Sequence, residues 1–572
     1  MKFSILHNRR DCLLRFYTFI FSPKGITLCT TRLRPRKRRN LHEKAHSLDD
    51  GSGTASLHGL WRGDGRKTEP TKLTAVYIKH PLTRPFEEME WLRQAEEMAG
   101  VEIEWQEITS DWDQVKATMF ASSNIPDLLF TATGDADYVT YDGLFENLAP
   151  MISEESTPNI WNFFTAHPEA KNLCTMMDGS IFALPKYQRF WPTTATSLYI
   201  NRVWLDRLNL EMPTNWNELE QVLIAFRDQD ANGNGDPSDE IPMDFYAEGA
   251  PNQYSALMLL GSTGIQLVNF FQGGYFAEDA TVKNAYIDPR YKETIQFLNK
   301  LYSQGLINPE CWTNDYSTFQ SIARGDGEYA RVGLTWGWEA SDRFGLTLAP
   351  QYEALPPMKV SAEDVRDVRV EYDSIGMNYD KNRVALSALS DNKEAAMRFI
   401  DTLYHPEFGL QILFGGMNDV DQCIAKNEDG SYTILPPSRE GMDWGTWKWT
   451  MSWADGGPIY ISDDMNVTLG QDMADVLDQR LVYNAYVDKI DEKSDLYVDM
   501  YQKFTSDELS TMSINQTSVD TIILPNMVAW IVGNQDIEAE WDAYVDLVKA
   551  SGLDENLQIR QAAYENWLSG LK

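Results

Sequence analysis

Between Asp228 and Glu240 the chain places an oxygen-bearing side chain at every second position. These are Asp228, Asp230, Asn232, Asn234 and Asp236, with Gly233 and Gly235 between them and Asp239 and Glu240 closing the run. Ca²⁺ takes six to eight oxygens at about 2.3–2.6 Å, and glycines let a backbone fold around it. The loop therefore predicts a structural Ca²⁺ site. One register takes Asp228, Asp230, Asn232 and the Asn234 carbonyl, with Asp239 at the twelfth position. The other takes Asp230, Asn232, Asn234 and the Asp236 carbonyl, closed by Asp239 or Glu240. Neither completes the full EF-hand pattern. The competing reading is an acidic turn after a helix.

A second concentration of chemistry is aromatic. Trp444, Trp447, Trp449 and Trp453 fall within ten residues, and Trp336 and Trp338 close a predicted strand. Flat aromatic faces pack against the apolar faces of sugar rings while neighbouring polar groups bond the hydroxyls. Glu339, Asp342, Asp443 and Asp455 are the polar candidates beside them. The alternative is that these rings fill a core or join two lobes. Paired carboxylates for glycoside hydrolysis need a defined separation in space, which 85 acidic residues cannot disclose in one dimension. No P-loop, G-x-S-x-G, H-E-x-x-H or dinucleotide fingerprint occurs. Cys174, Cys311 and Cys423 are too widely spaced for a CxxC site and read as small buried hydrophobes.

The elements that must position these residues alternate. Leu73–Ile78, Val101–Trp105 and Ile125–Phe130 read as strands. Phe86–Ala99, stopped by Gly100, and Asp111–Ser122 read as the helices between them. This is the start of a doubly wound α/β lobe. A second series begins with a strand at Ser197–Ile200 and a helix after Pro213, with Thr214 as its N-cap. It continues through a helix at Tyr291–Tyr302, a strand at Tyr329–Trp336 and a helix at Lys393–Tyr404. From Pro458 onward the chain reads as mostly helical. Residues 249–277 carry no charge, but their glycines and amides predict a buried helix and loop rather than a membrane span.

The length of 572 residues requires more than one lobe. Net charge is −35, which disfavours nucleic acid as a partner. Residues 1–70 hold 15 Lys/Arg against 6 Asp/Glu, and the remainder holds 35 against 79. A basic leader thus precedes a very acidic body. The leader, with Arg36-Lys37-Arg38-Arg39, has three readings: a degraded secretion signal, upstream sequence from a misplaced start, or a basic tail. Ile26-Thr27-Leu28-Cys29 is a poor lipid-attachment motif, because Leu28 stands where a small residue is wanted.

Several runs resemble the family 1 extracellular solute-binding proteins, lipoproteins of carbohydrate ABC importers in Gram-positive bacteria. They are Leu198 to Leu210, Pro213-Thr214-Asn215-Trp216 and the acidic loop ending Asp239-Glu240-Ile241-Pro242. Ser123 to Leu128, Asp178 to Pro185, Tyr302 to Glu310 and Ala395 to Asp401 extend the resemblance from about residue 72 to the C-terminus. It implies a type II periplasmic-binding-protein-like fold, with two α/β lobes, a hinge and a ligand cleft. The lobes would be 72–190 with 373–460, and 191–372 with 461–572, preceded by the leader at 1–71. Trp336 and Trp338 fall where relatives place a stacking tryptophan, Asp135 where a polar sugar contact is common, and Asp178 on a loop leading to the hinge. It also implies a monomer without catalytic activity that gives an oligosaccharide to a membrane permease, at the cell surface, held only by a lipid anchor. A glycan-active enzyme, a receptor for peptides or other solutes, and a receptor feeding a sensor kinase are the alternatives.

Overall fold

The computed structural model describes residues 69–570, apart from 195, 248–251, 269–272, 373–377 and 492. The basic leader and Cys29 lie outside the described residues. Among the described residues ten strands precede residue 360: β1 (Thr71–Ile78), β2 (Val101–Ile108), β3 (Leu128–Phe130), β4 (Ala183–Tyr187), β5 (Ser197–Asn201), β6 (Ile241–Met243), β7 (Tyr275–Glu278), β8 (Thr281–Asn284), β9 (Val332–Gly337) and β10 (Tyr352–Ala354). Four follow: β11 (Tyr379–Leu386), β12 (Ile424–Lys426), β13 (Tyr432–Ile434) and β14 (Val467–Thr468).

Lobe one is built on a sheet of order β2-β1-β3-β11-β4. β1 lies parallel to β2 and β3, and β11 runs antiparallel between β3 and β4. β1 buries Leu73, Ala75, Val76 and Tyr77 while Lys72 and Thr74 face solvent, the pattern of a strand covered on both faces toward its C-terminal end. The helix Glu90–Ala99 buries Trp91, Leu92 and Ala95 and ends on Gly100 at φ 68°, a left-handed stop that a side chain would oppose. Lobe two carries the sheet β10-β5-β9-β6. Its core joins Trp204, Phe226, Leu298 and Leu334 with Val519, Trp530 and Tyr564 from the C-terminal helices.

The expected βαβαβ start and the second α/β series are both present, with ends shifted by a few residues. The helix Trp216–Asp228 is capped by Asn215, whose side chain accepts from the backbone N–H groups of Asn217 and Glu218. Thr214, the expected cap, instead bonds the Glu218 carboxylate at 2.8 Å. Of residues 249–277, the described part holds a 3₁₀ helix at Ala256–Thr263 and β7.

Lobe one's second segment also runs past residue 460. Ile461, Met473 and Val476 pack in the lobe-one core, and β14 pairs with β13. The chain passes between lobes after β4, before β11 and through the helix Gln471–Gln479. That helix roots Met473 and Val476 in lobe one while Gln479 bonds Tyr199 and Glu339 of lobe two. Among the described residues no helix is long and apolar enough to cross a membrane.

Candidate functional site: the cleft between the lobes

The helix Trp444–Met451 supplies one wall of the cleft. Asp443 caps it, accepting from the Thr446 N–H at 2.7 Å and its hydroxyl at 2.8 Å. Residues two apart on a helix point about 200° apart, so Trp447 and Trp449 face opposite ways. Trp447 is buried in the lobe-one core. Trp449 is half-buried and stacks on His80, ring centroids 4.4 Å apart. His80 follows β1, and its other neighbour is Tyr316 of lobe two, edge-on at 6.0 Å. Tyr316 continues into Tyr246, Tyr254 and Phe319. Beside Trp449 the Lys448 ammonium lies 5.7 Å from its ring and 4.8 Å from that of Trp191. Trp191, on the first crossing, meets Trp338 of lobe two edge-on at 5.9 Å. Aromatic rings of the two lobes thus meet at two places, Trp449–His80–Tyr316 and Trp191–Trp338, with the Lys448 ammonium between them.

Polar groups are interleaved with these rings. Asp455 accepts from Gln188 Nε2 at 2.8 Å and Trp191 Nε1 at 3.1 Å, and pairs with Lys448 at 3.4 Å. Burial opposes its charge, but Lys448 and Lys186 hold it well below the usual carboxylate range. Burial pushes the His80 imidazole down to about 4, with Lys448 adding to the effect. Across the cleft, burial and the Asp443 charge push Asp342 up to about 6. Arg324 of lobe two reaches Asp443 of lobe one at 3.3 Å. Gly445 permits this approach, because a Cβ there would stand 2.5 Å from Asp342 Oδ1.

A further polar patch surrounds Asp135, which opens the helix Asp135–Thr140. Its carboxylate accepts from Lys381 at 2.6 Å and Asn382 at 2.9 Å. Burial would raise its pKa, but Lys381 brings it below the ordinary value. Asp135 and Lys381 line a small cavity with Tyr138, Gln502 and Lys503. Lys503 donates to the carbonyls of Leu173 at 3.2 Å and Thr175 at 2.8 Å, at the end of the helix Pro168–Cys174.

The acidic loop stands apart, after the helix Trp216–Asp228. Asp230 accepts from the N–H groups of Gly233 at 2.8 Å and Gly235 at 3.0 Å. Asn232 and Asn234 turn their amide NH₂ groups to the Asp239 carboxylate at 3.1 and 2.9 Å. Asp236 accepts from Ser238, and Asp228 turns outward to Arg227 at 2.6 Å. Glu240 Oε2 is buried with no hydrogen-bond partner, and burial raises the Glu240 pKa. Among the described residues no three His, Cys, Asp or Glu side chains gather as a metal cluster.

A model of the bacterial extracellular solute-binding proteins matches residues 81–408, more than half of the chain. The chain belongs to that family. The solute-binding protein is 25% identical over 491 residues to the fructooligosaccharide ABC transporter substrate-binding protein FusA of Streptococcus pneumoniae, covering 83% of this chain and 86% of the relative. An HMO-binding, ABC-transporter-associated solute-binding protein of Bifidobacterium longum infantis superposes with a TM-score of 0.75. It is 28% identical and covers 88% of this chain and 99% of that one. FusA in complex with kestose superposes with a TM-score of 0.77 at 24% identity, covering 87% and 100%. FusA has also been solved as an EF-hand mutant.

Of the aromatic residues singled out in the sequence, the solute-binding protein brings Trp338 and Trp449 to the ring contacts between its lobes. Trp336 is 3% exposed in the lobe-two core, with an edge on a cavity shared with Thr194, Leu198 and Tyr483. Trp453 is 1% exposed and packed among Tyr77, Phe86 and Trp91. Trp447 and Trp453 are core residues here, because their helix phase and turn aim them at the lobe-one sheet. Trp444 is half-buried against the backbone at Gly470. Asp178 sits on an exposed turn and accepts from the Ser180 N–H and hydroxyl. His80, Trp191, Tyr316 and Lys448 were missed. Only His80-Pro81, two residues past β1, and the Trp191-Pro192 pair between β4 and β5 offered a local signal.

Proposed function

We propose that this protein captures an oligosaccharide between its lobes and delivers it to the membrane subunits of an ABC importer. The observation that carries this reading is the aromatic set of Trp338, Trp191, Trp449, His80 and Tyr316, contributed by both lobes and interleaved with ion pairs. Stacking faces on two bodies bind a chain of sugar rings fully only when the bodies close, so ligand shifts the population toward the closed state. FusA and the HMO-binding protein, similar over most of their length, are named for oligosaccharide cargo. The test is calorimetry of the full-length protein against an oligosaccharide panel, with product analysis of the same mixtures. Saturable binding of intact sugar is expected. Cleaved sugar would favour an enzyme using the cleft carboxylates, and no binding to any glycan would sink the reading.

Trp338, Trp449 and Asp135 are the sequence-expected residues that this reading retains as ligand contacts, and it adds His80, Trp191 and Tyr316. The acidic loop fits a structural Ca²⁺. Supporting this are the orphaned buried oxygen of Glu240, the Asp239 carboxylate next to it in the chain, and the side-chain amides of Asn232 and Asn234 turned to that carboxylate. The outward pairing of Asp228 with Arg227 favours the register that begins at Asp230. When bound, the ion would neutralise carboxylates at the end of a helix, where negative charge is unfavourable. Adding millimolar Ca²⁺ to chelated protein should raise the thermal midpoint; an unchanged midpoint would remove the ion. Attachment of a lipid to Cys29 is a separate part of the proposal, tested by mass spectrometry of the membrane-bound protein. Sedimentation tests the expected monomer.

A further inference from the structure

Three donors reach the Asp455 carboxylate in the cleft, the Gln188 amide at 2.8 Å, the Trp191 indole N–H at 3.1 Å and the Lys448 ammonium at 3.4 Å, while the Lys186 ammonium donates to the Asp455 carbonyl at 3.2 Å and lies 3.9 Å from the carboxylate. Two neutral donors and one cation aimed at one spot, with a second cation beside it, are what an anionic group of a ligand would meet. The chain fills that spot itself, with the Asp455 carboxylate. The side chains of Lys186 and Lys448 are 5% and 11% exposed, and that of Asp455 is 32% exposed. The carboxylate therefore stands on the open side, with the ammonium groups behind it. Its turn is built for this. Ala454 holds a left-handed φ of 45°, uncommon for a residue with a Cβ, and its N–H is fixed on Ser452 Oγ at 2.9 Å.

We infer that Asp455 is a specificity-determining residue that restricts the cleft to neutral oligosaccharides by occupying the place a uronic acid carboxylate would take. The inference rests on the oligosaccharide reading and deepens it. A second carboxylate entering this site would meet a like charge, and two carboxylates sharing one site do not both ionise readily. The other cations of the cleft are committed in the same way. Lys381 is paired with Asp135, and Arg324 with Asp443. Lys503 and Arg480 are held on backbone carbonyls. A neutral sugar brings hydroxyls that accept from and donate to these groups without a net charge to bury.

The experiment measures binding of the full-length protein to two matched arms. One holds neutral oligomers of fructose, glucose, galactose and mannose; the other holds oligogalacturonate and oligomannuronate of equal length. Binding confined to the neutral arm is expected, with at least a hundredfold preference. Asp455→Asn keeps an acceptor for Gln188 and Trp191 but removes the negative charge that Lys448 pairs with and Lys186 faces, and should raise oligogalacturonate affinity at least tenfold. Asp455→Ser removes the same charge should the first variant not fold. Equal or tighter uronate binding by the wild-type protein overturns the inference, as does a folded variant with no uronate gain. Absence of binding in both arms overturns the oligosaccharide reading and this inference with it.

Discussion

His80 and Asp342 stand on opposite lobes and titrate in opposite senses. The His80 pKa of about 4 lies below the unfolded value near 6.5. The unfolded chain therefore binds the extra proton as pH falls through that window, and stability is lost on the order of 3 kcal/mol before solvent screening. The Asp342 pKa of about 6 lies above its unfolded value. Here the native state holds the extra proton, so stability rises by a similar order as pH falls from 6 toward 4. His80→Gln should remove the acid loss and Asp342→Asn the acid gain. Denaturant unfolding at pH 7, 5.5 and 4.5 separates them; parallel curves for both variants and the wild type would refute the assignment. Trp336→Ala should cost about 3–5 kcal/mol, as truncation of a buried aromatic does. Trp449→Ala should leave the thermal midpoint nearly unchanged while weakening sugar binding about tenfold, about 1.4 kcal/mol. The density of tryptophan made this region conspicuous in the sequence. Which rings face the cleft was hidden, because it depends on helix phase at Trp447 and Trp449 and on the turn that tucks Trp453 under β1.

At the scale of elements, close approach decides most. The helix Pro406–Phe414 lies with Gly409 directly on the backbone at Tyr460, and a Cβ there would strike that carbonyl. Gly409→Ala should destabilise lobe one by about 1–3 kcal/mol or more, read as a lowered unfolding midpoint without loss of the cleft rings. Gly445→Ala acts differently. Its Cβ meets the mobile end of Asp342 on the other lobe, so closure is impeded rather than folding. Affinity for sugar should fall while the midpoint holds; equal affinity would show that the contact does not govern closure. Strand and helix identities were legible from periodicity, from β1 through the helix Pro289–Ser303. The cap at Asn215 was not, since Thr214 and Asn215 are both good caps and the choice was made by the Glu218 carboxylate taking Thr214. From Pro458 onward the chain read as mostly helical, but nothing local announced that the two ends of the helix Gln471–Gln479 serve different lobes.

The whole molecule is dominated by negative charge, −44 over residues 71–572. Repulsion among surface carboxylates is screened by salt, with the Debye length shrinking from about 30 Å at 0.01 M to about 8 Å at 0.15 M. The thermal midpoint should therefore rise across that range; a flat profile would mean that the local ion pairs already balance the surface. The two-lobed plan was legible because the family pattern runs through both lobes. The boundary at residue 460 was not, since Ile461 to Val476 carry no composition change.

The sheet of lobe one also fixes an order of events. β11 sits between β3 and β4, so β4 cannot join the sheet until residue 386 has been made. Lobe two waits longer, because Val519, Trp530 and Tyr564 belong to its core. For most of its synthesis the chain has no complete lobe to fold into. Pairings this distant in sequence form slowly, which delays completion of both lobes until the last helices emerge. A protein that works outside the cell gains from that delay, since an unfinished fold can pass a narrow pore and a finished one cannot.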